Sequence, residues 1–166
     1  NSLIIIGILM AIILLIIFFI RHILRDNNRI QNLMYKDSKM NIWNLNYLIY
    51  RGERKLLPER KMKYAVVYLN LESFRRYNMI YGWTSGEHLL ENIVTVLLYC
   101  SDADTEICAR SQSDRFVLLL NYRDPERFME RIKDLKQQIE DRLYMVSECQ
   151  MTVHMGVYYI PEDEID

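Results

Sequence analysis

Glycine and proline are scarce, five and three residues in 166. No internal repeat or low-complexity tract is present. Three cysteines, Cys100, Cys108 and Cys149, show no Cys-x-x-Cys spacing. They suit a reducing compartment, as small buried apolar residues. The histidines at 88 and 154 lack partners at metal-ligand spacing and read as structural. There is no G-x-x-x-x-G-K, no H-E-x-x-H and no dinucleotide fingerprint. No Ser/His/Asp or Cys/His arrangement stands out. A basic excess is also missing: the net charge is −1, with both signs mixed along the chain, so no nucleic-acid partner is expected.

What the chain has instead is apolar residues, 51% of the total, unevenly spread. Residues 3–20, "LIIIGILMAIILLIIFFI", carry no charge. Eighteen residues of helix reach ~27 Å, close to the thickness of a bilayer core. A cleaved signal peptide would need a basic start and a shorter apolar core, but the run opens on Asn1-Ser2 and ends in "RHILR". A buried core helix would not be apolar on every face. Residues 1–20 are therefore expected to be a transmembrane helix. Arg21, His22 and Arg25 place the following side in the cytoplasm, which implies a single-pass protein of the cytoplasmic membrane.

Residues 21–36 read as a juxtamembrane linker helix. Ile20, Ile23, Asn27, Ile30 and Met34 form a short heptad seam with asparagine at a core position, which suits a homodimer. Packing of that helix on its own domain is the other reading.

Residues 37–166 read as an α+β sandwich of ferredoxin type, with a mainly antiparallel sheet flanked by helices. Helices are expected over 44–57, 73–83, 84–100 (capped by Thr84 or Ser85) and from Pro125 onward. Strands are expected over 64–71, 106–111, 115–121 and 149–160, the middle two as a hairpin.

Three stretches of this domain together resemble the GGDEF domain family, the diguanylate cyclases and their degenerate relatives. The resemblance covers about residues 37–160. "DSKMNIWN" stands where the family opens with D-x-L-T-G-L-x-N. Asp37 and Asn44 match, while Lys39, Met40 and Asn41 depart. "LNLESFRRYNMIYGWTSGEHLL" resembles D-x-D-x-F-K-x-x-N-D-x-x-G-H-x-x-G-D-x-x-L. Phe74, Asn78, Gly82, Gly86 and Leu90 match. Asn70 and Glu72 stand at the aspartates, Arg75 at the lysine, Trp83 at the histidine and Glu87 at the last aspartate. "RSQSDRF" stands where the family has its signature R-x-G-G-D/E-E-F. Arg110, Asp114 and Phe116 match; Gln112, Ser113 and Arg115 depart.

The resemblance implies a domain built to join two GTP molecules with Mg²⁺, and the departures fall on that chemistry. Asn70 puts a neutral amide where the family has a metal-binding carboxylate, which leaves Asp114 alone. Gln112 and Ser113 add side chains where glycines let backbone approach a ligand. Arg115 puts a cation where the family has an acid; it either pairs with Asp114 or awaits a phosphate. A degenerate, catalytically inactive domain is implied, with no cofactor required and GTP with Mg²⁺ as the candidate ligand. Asn78 and Glu87 stand at the family's guanine-reading positions, and Arg75 at its phosphate-binding lysine. Their plainer roles are a helix cap, a first-turn acid and a solvated charge. The family's R-x-x-D inhibitory site falls on Ala103 and Glu106, so none is expected. Such domains often precede a phosphodiesterase EAL or other output domain, which is the expected extension beyond Asp166. An atypical active cyclase and a purely structural scaffold are the alternatives.

Overall fold

The computed structural model describes residues 2–56, 62–147 and 151–161. The side chains of residues 2–6, 8, 9, 11, 28 and 32 lie outside that description. In chain order the elements are α1 (Ser2–Tyr35), β1 (Trp43–Asn44), α2 (Leu45–Lys55), β2 (Lys63–Leu71), α3 (Phe74–Tyr81), α4 (Trp83–Cys100), β3 (Ile107–Gln112), β4 (Arg115–Tyr122), α5 (Pro125–Ser147) and β5 (Val153–Tyr159). The chain divides into two compact units, Asn1–Met34 and Tyr35–Asp166.

In the first unit α1 runs without a break where the membrane span was expected to give way to the linker. Ile12 through Ile20 are all exposed. Among the described residues, no helix is long and apolar enough to cross a membrane. The uncharged run on which that expectation rests includes residues 3–6, 8, 9 and 11, whose side chains lie outside the description.

The second unit is built on a five-stranded sheet in the order β1-β3-β4-β2-β5. β1 pairs parallel with β3, and every other neighbour is antiparallel. Without β1, this is the ferredoxin-type order expected from the alternation of strands and helices. The two-residue β1 was not anticipated, because a strand that short carries no periodicity.

Alternation along the strands sorts residues to two faces. Val67 and Leu69 of β2, and Phe116, Leu118 and Leu120 of β4, pack beneath Leu89, Ile93 and Leu97 of α4 and Ile132, Ile139 and Leu143 of α5. Tyr64, Ile107, Ala109 and Leu119 face the other way, with Leu48 of α2. α5 buries Phe128, Ile132, Leu135, Ile139 and Leu143, a stripe at helical spacing.

The cap of α4 corrects a sequence expectation. Neither Thr84 nor Ser85 caps it; the helix begins at Trp83, with Gly82 before it at φ 85°. Gly82 also closes α3, its N–H donating to Asn78 O at 2.9 Å. A residue able to take positive φ makes that two-helix corner without a side-chain cap. Ser85 Oγ turns back to Tyr81 O instead, at 2.8 Å. β5 starts at Val153, so Met151 and Thr152 are outside it, and 149–150 lie outside the described residues.

Candidate functional site

A cleft of about 660 Å³ opens at the end of β2. Leu71 and Ser73 form one side, and Phe74, Arg75, Asn78 and Met79 of α3 form the floor and wall. Trp83 stands at the start of α4, and Ser113 and Asp114 close the cleft from the β3–β4 turn. Trp83 is 74% exposed, so an indole face is open to a ligand. The lining joins apolar surface to a few convergent polar groups, the usual make-up of a small-molecule site.

Asn78 is its most informative group. The residue is 7% exposed, and its Oδ1 is buried with no hydrogen-bond partner among the described residues. An orphaned buried acceptor costs about 1–3 kcal/mol unless something donates to it. The amide lies against Gly86 of α4. A Cβ built there would sit on Asn78 Oδ1, 2.8 Å from Cγ and 3.2 Å from Phe74 Cζ. Gly86 is thus needed for space rather than for backbone freedom.

Glu87 follows Gly86 but does not line the cleft. Because α4 begins at Trp83, Glu87 lies in the second turn of the helix, and the first-turn acid reading does not hold. Its carboxylate makes an ion pair and hydrogen bond with Lys39 Nζ. Lys39 holds the Glu87 carboxyl below the usual carboxylate range. Arg75 lines the cleft and is exposed.

The β3–β4 turn is made by Ser113 and Asp114. Ser113 takes φ 44°, a left-handed conformation at a position where the resemblance has glycine. Arg110, 8% exposed, holds the turn from below. Its Nε donates to Ser113 O at 2.8 Å, and Nη1 reaches Asp37 Oδ1 at 3.2 Å. The same Asp37 oxygen accepts the backbone N–H groups of Lys39 and Met40, each at 3.0 Å. Asp37 and Arg110, 73 positions apart, are therefore one structural unit. Asn44 caps α2, accepting from Tyr47 N at 3.1 Å.

Asn70 and Arg115 are direct partners across β2 and β4. Neither Asp114 nor Arg115 forms an ion pair among the described residues. Phe116 is fully buried and Gln112 is exposed at the end of β3. The donor set does not fit a divalent cation: one amide, one carboxylate and a guanidinium on the strand opposite the amide. Among the described residues, no group of three or more His, Cys, Asp and Glu is placed to hold a metal.

Glu106, at the expected position of the missing inhibitory site, is a buried structural hub. Arg131 Nη1 and Nη2 reach its two oxygens, each at 2.7 Å. Its carboxylate also accepts from Asp102 N at 2.9 Å and Asn121 N at 3.1 Å. His88 meets Glu91, and His154 meets Glu72, each at 3.1 Å. The sequence reading passed over Lys39, although its departure from the family leucine was the available signal.

The family model for the diguanylate cyclase GGDEF domain matches residues 34–166. The probable diguanylate cyclase DgcT of Escherichia coli is 23% identical over 124 residues, 75% of this chain and 27% of that protein. The cyclic di-GMP phosphodiesterase PdeR of Escherichia coli is 30% identical over 95 residues, 57% of this chain and 14% of that protein. The chain thus spans about a quarter or less of these relatives' lengths. Among solved structures, the coiled coil and GGDEF domain of DgcB from Caulobacter crescentus, in complex with c-di-GMP, superposes with a TM-score of 0.79 at 12% identity. It covers 93% of this chain and 84% of that one. The S helix-GGDEF-EAL portion of LapD from Vibrio cholerae gives a TM-score of 0.64 at 14% identity, over 83% of this chain and 32% of that one. At such identities the likeness is one of fold.

Proposed function

Because this chain belongs to the GGDEF domain family, we propose that it is a catalytically degenerate member that binds GTP as a regulatory domain in bacterial cyclic di-GMP signalling. The observation that carries this reading is the buried, unpartnered Oδ1 of Asn78 at the cleft. A guanine edge offers N–H donors, which this amide oxygen meets on turning from Gly86 toward the cleft. Gly86 leaves the room Asn78 occupies, Trp83 offers a face for a base, and Arg75 is free to meet phosphate. Asn78 persists at a base-reading position, whereas of the two metal-binding acids only Asp114 remains.

Cyclisation asks for more. The 3′-hydroxyl must lose its proton and lie in line with the α-phosphate of a second nucleotide, with cations neutralising the phosphates. Asn70 and Arg115 work against cation capture, and Asp114 alone does not replace it. The domain therefore binds and orients without turning over.

The reading extends to the whole protein as follows. The uncharged run over 3–20 is a membrane anchor, supported by the exposure of Ile12–Ile20. The soluble unit lies in the cytoplasm, dimerises through the heptad seam ending at Met34, and hands its signal to an output domain of EAL type. The solved relative that joins a GGDEF to an EAL domain is the precedent.

The test is calorimetric titration of GTP into the full chain in lipid nanodiscs, with and without Mg²⁺, followed by assay for cyclic di-GMP. Binding without product is expected. Magnesium-dependent product would refute degeneracy. Absence of binding at millimolar GTP would leave a scaffold.

A further inference from the structure

We propose that the corner between α3 and α4 is a docking surface for an anionic lipid bilayer. The membrane-anchor reading above keeps such a bilayer within reach of the domain, and the surface is read from its own residues.

α3 buries Phe74 and Asn78. Arg75, Arg76, Met79 and Ile80 stand on its other side, because residues four apart share one face of a helix. All four are exposed. Trp83 follows at the Gly82 corner. Met79 is 80% exposed, Ile80 62% and Trp83 74%. Exposed apolar side chains scattered singly are ordinary, but large ones grouped together mark an interaction surface. Arg75, Met79 and Trp83 line one cleft, so the patch is continuous in space.

Charge selects the occupant. α3 contains no acidic residue. Neither Arg75 nor Arg76 forms an ion pair among the described residues. The flanking acids are engaged elsewhere, Glu72 with His154 and Glu87 with Lys39. Asp114, the acid of the cleft lining, is half-buried in its turn. A second copy docked here about a two-fold axis would set these arginines against their own like charge.

A bilayer of anionic lipid answers both features at once. Ile80 and Met79 enter the acyl boundary, and the Trp83 indole sits at headgroup level. The arginine stems lie along apolar surface while their guanidinium groups meet lipid phosphates. Each cation near such a surface contributes about fivefold in affinity. Two of them make a weak contact, which becomes effective when an anchor holds the domain close to the lipid.

The test uses the full chain in lipid vesicles, with Trp43→Phe so that Trp83 is the remaining tryptophan. Vesicles of phosphatidylcholine, with or without about 30% phosphatidylglycerol, carry a doxyl quencher high on the acyl chain. Trp83 should be quenched at least about twofold more on the anionic vesicles. Arg75→Gln with Arg76→Gln should return quenching to the neutral level, as should salt near 1 M. Ile80→Ser should weaken it with both arginines kept. Quenching that ignores anionic lipid, or that survives loss of both arginines in protein with native circular dichroism, would overturn the proposal. Trp83 shielded from acrylamide without lipid quenching would overturn it too, because a protein surface such as a second copy would then cover the corner. Vesicle flotation keeps the two readings apart. A chain that fails to float with phosphatidylcholine loses the anchor reading, while quenching on phosphatidylglycerol still decides the docking.

Discussion

The amide of Asn78 occupies the space that a side chain on Gly86 would fill, and its buried Oδ1 has no donor. The glycine makes room for the amide, which packs against α4.

Gly86→Ala should therefore displace Asn78 rather than merely stiffen α4. The forced shift should cost about 1–3 kcal/mol of stability, as other overpacked sites do. GTP affinity should fall at least tenfold. Urea unfolding and nucleotide titration on one preparation check both.

Asn78→Ala should separate binding from stability. Truncation removes an unsatisfied acceptor, which offsets the packing lost, so the unfolding midpoint should move little. GTP binding should vanish. A large loss of stability with binding retained would show that Asn78 serves the core alone.

Glu106→Ala should be among the most destabilising changes in the domain, about 3–5 kcal/mol, because it strands the Arg131 guanidinium and two backbone donors. Arg131→Ala should cost as much or more, since it leaves the Glu106 carboxylate, 1% exposed, without its counter-charge, whereas Arg131 is 36% exposed. Denaturant melts of the two variants give the order.

Glu87 offers a pH test. Lys39 lowers its carboxyl in the folded state. A depressed folded value means that the pair's contribution is present above the ordinary carboxylate value and is lost as pH falls through the folded one. In Lys39→Leu the titration of Glu87 should move upward. Side-chain carbonyl NMR follows it directly.

Burial pushes the Cys108 thiol up to about 11, and also raises Cys100, which is partly exposed. A thiolate-selective reagent near pH 8 should modify Cys100 first and reach Cys108 only on unfolding. Mass spectrometry of timed digests distinguishes the two.

Much of the architecture was legible because periodicity reports burial. The stripe of α5 from Phe128 to Leu143 and the apolar run of β2 needed no tertiary information. β1 was invisible because two residues have no period, and its pairing is with distant Ala109 and Arg110. The α4 start was misplaced because Thr84 and Ser85 look like caps. The geometry of Gly82 was the deciding feature.

The site divides the same way. Asn78, Arg75 and Asp114 were legible from motif positions, and the fold brings them to one cleft. Glu87 also stands at a motif position but does not line the cleft, and its pairing with Lys39 was not legible, since 48 residues separate the two. Nor could the sequence show that Asp37 and Arg110 form one bonded unit.

By itself, then, the sequence determined the family, the order of helices and strands and the residue types offered to a ligand, because periodicity and short-range spacing encode them. Only the tertiary structure decided which of those residues are occupied by one another and which remain open. Burial and long-range pairing arise when distant segments pack, and no local pattern states which two side chains will meet.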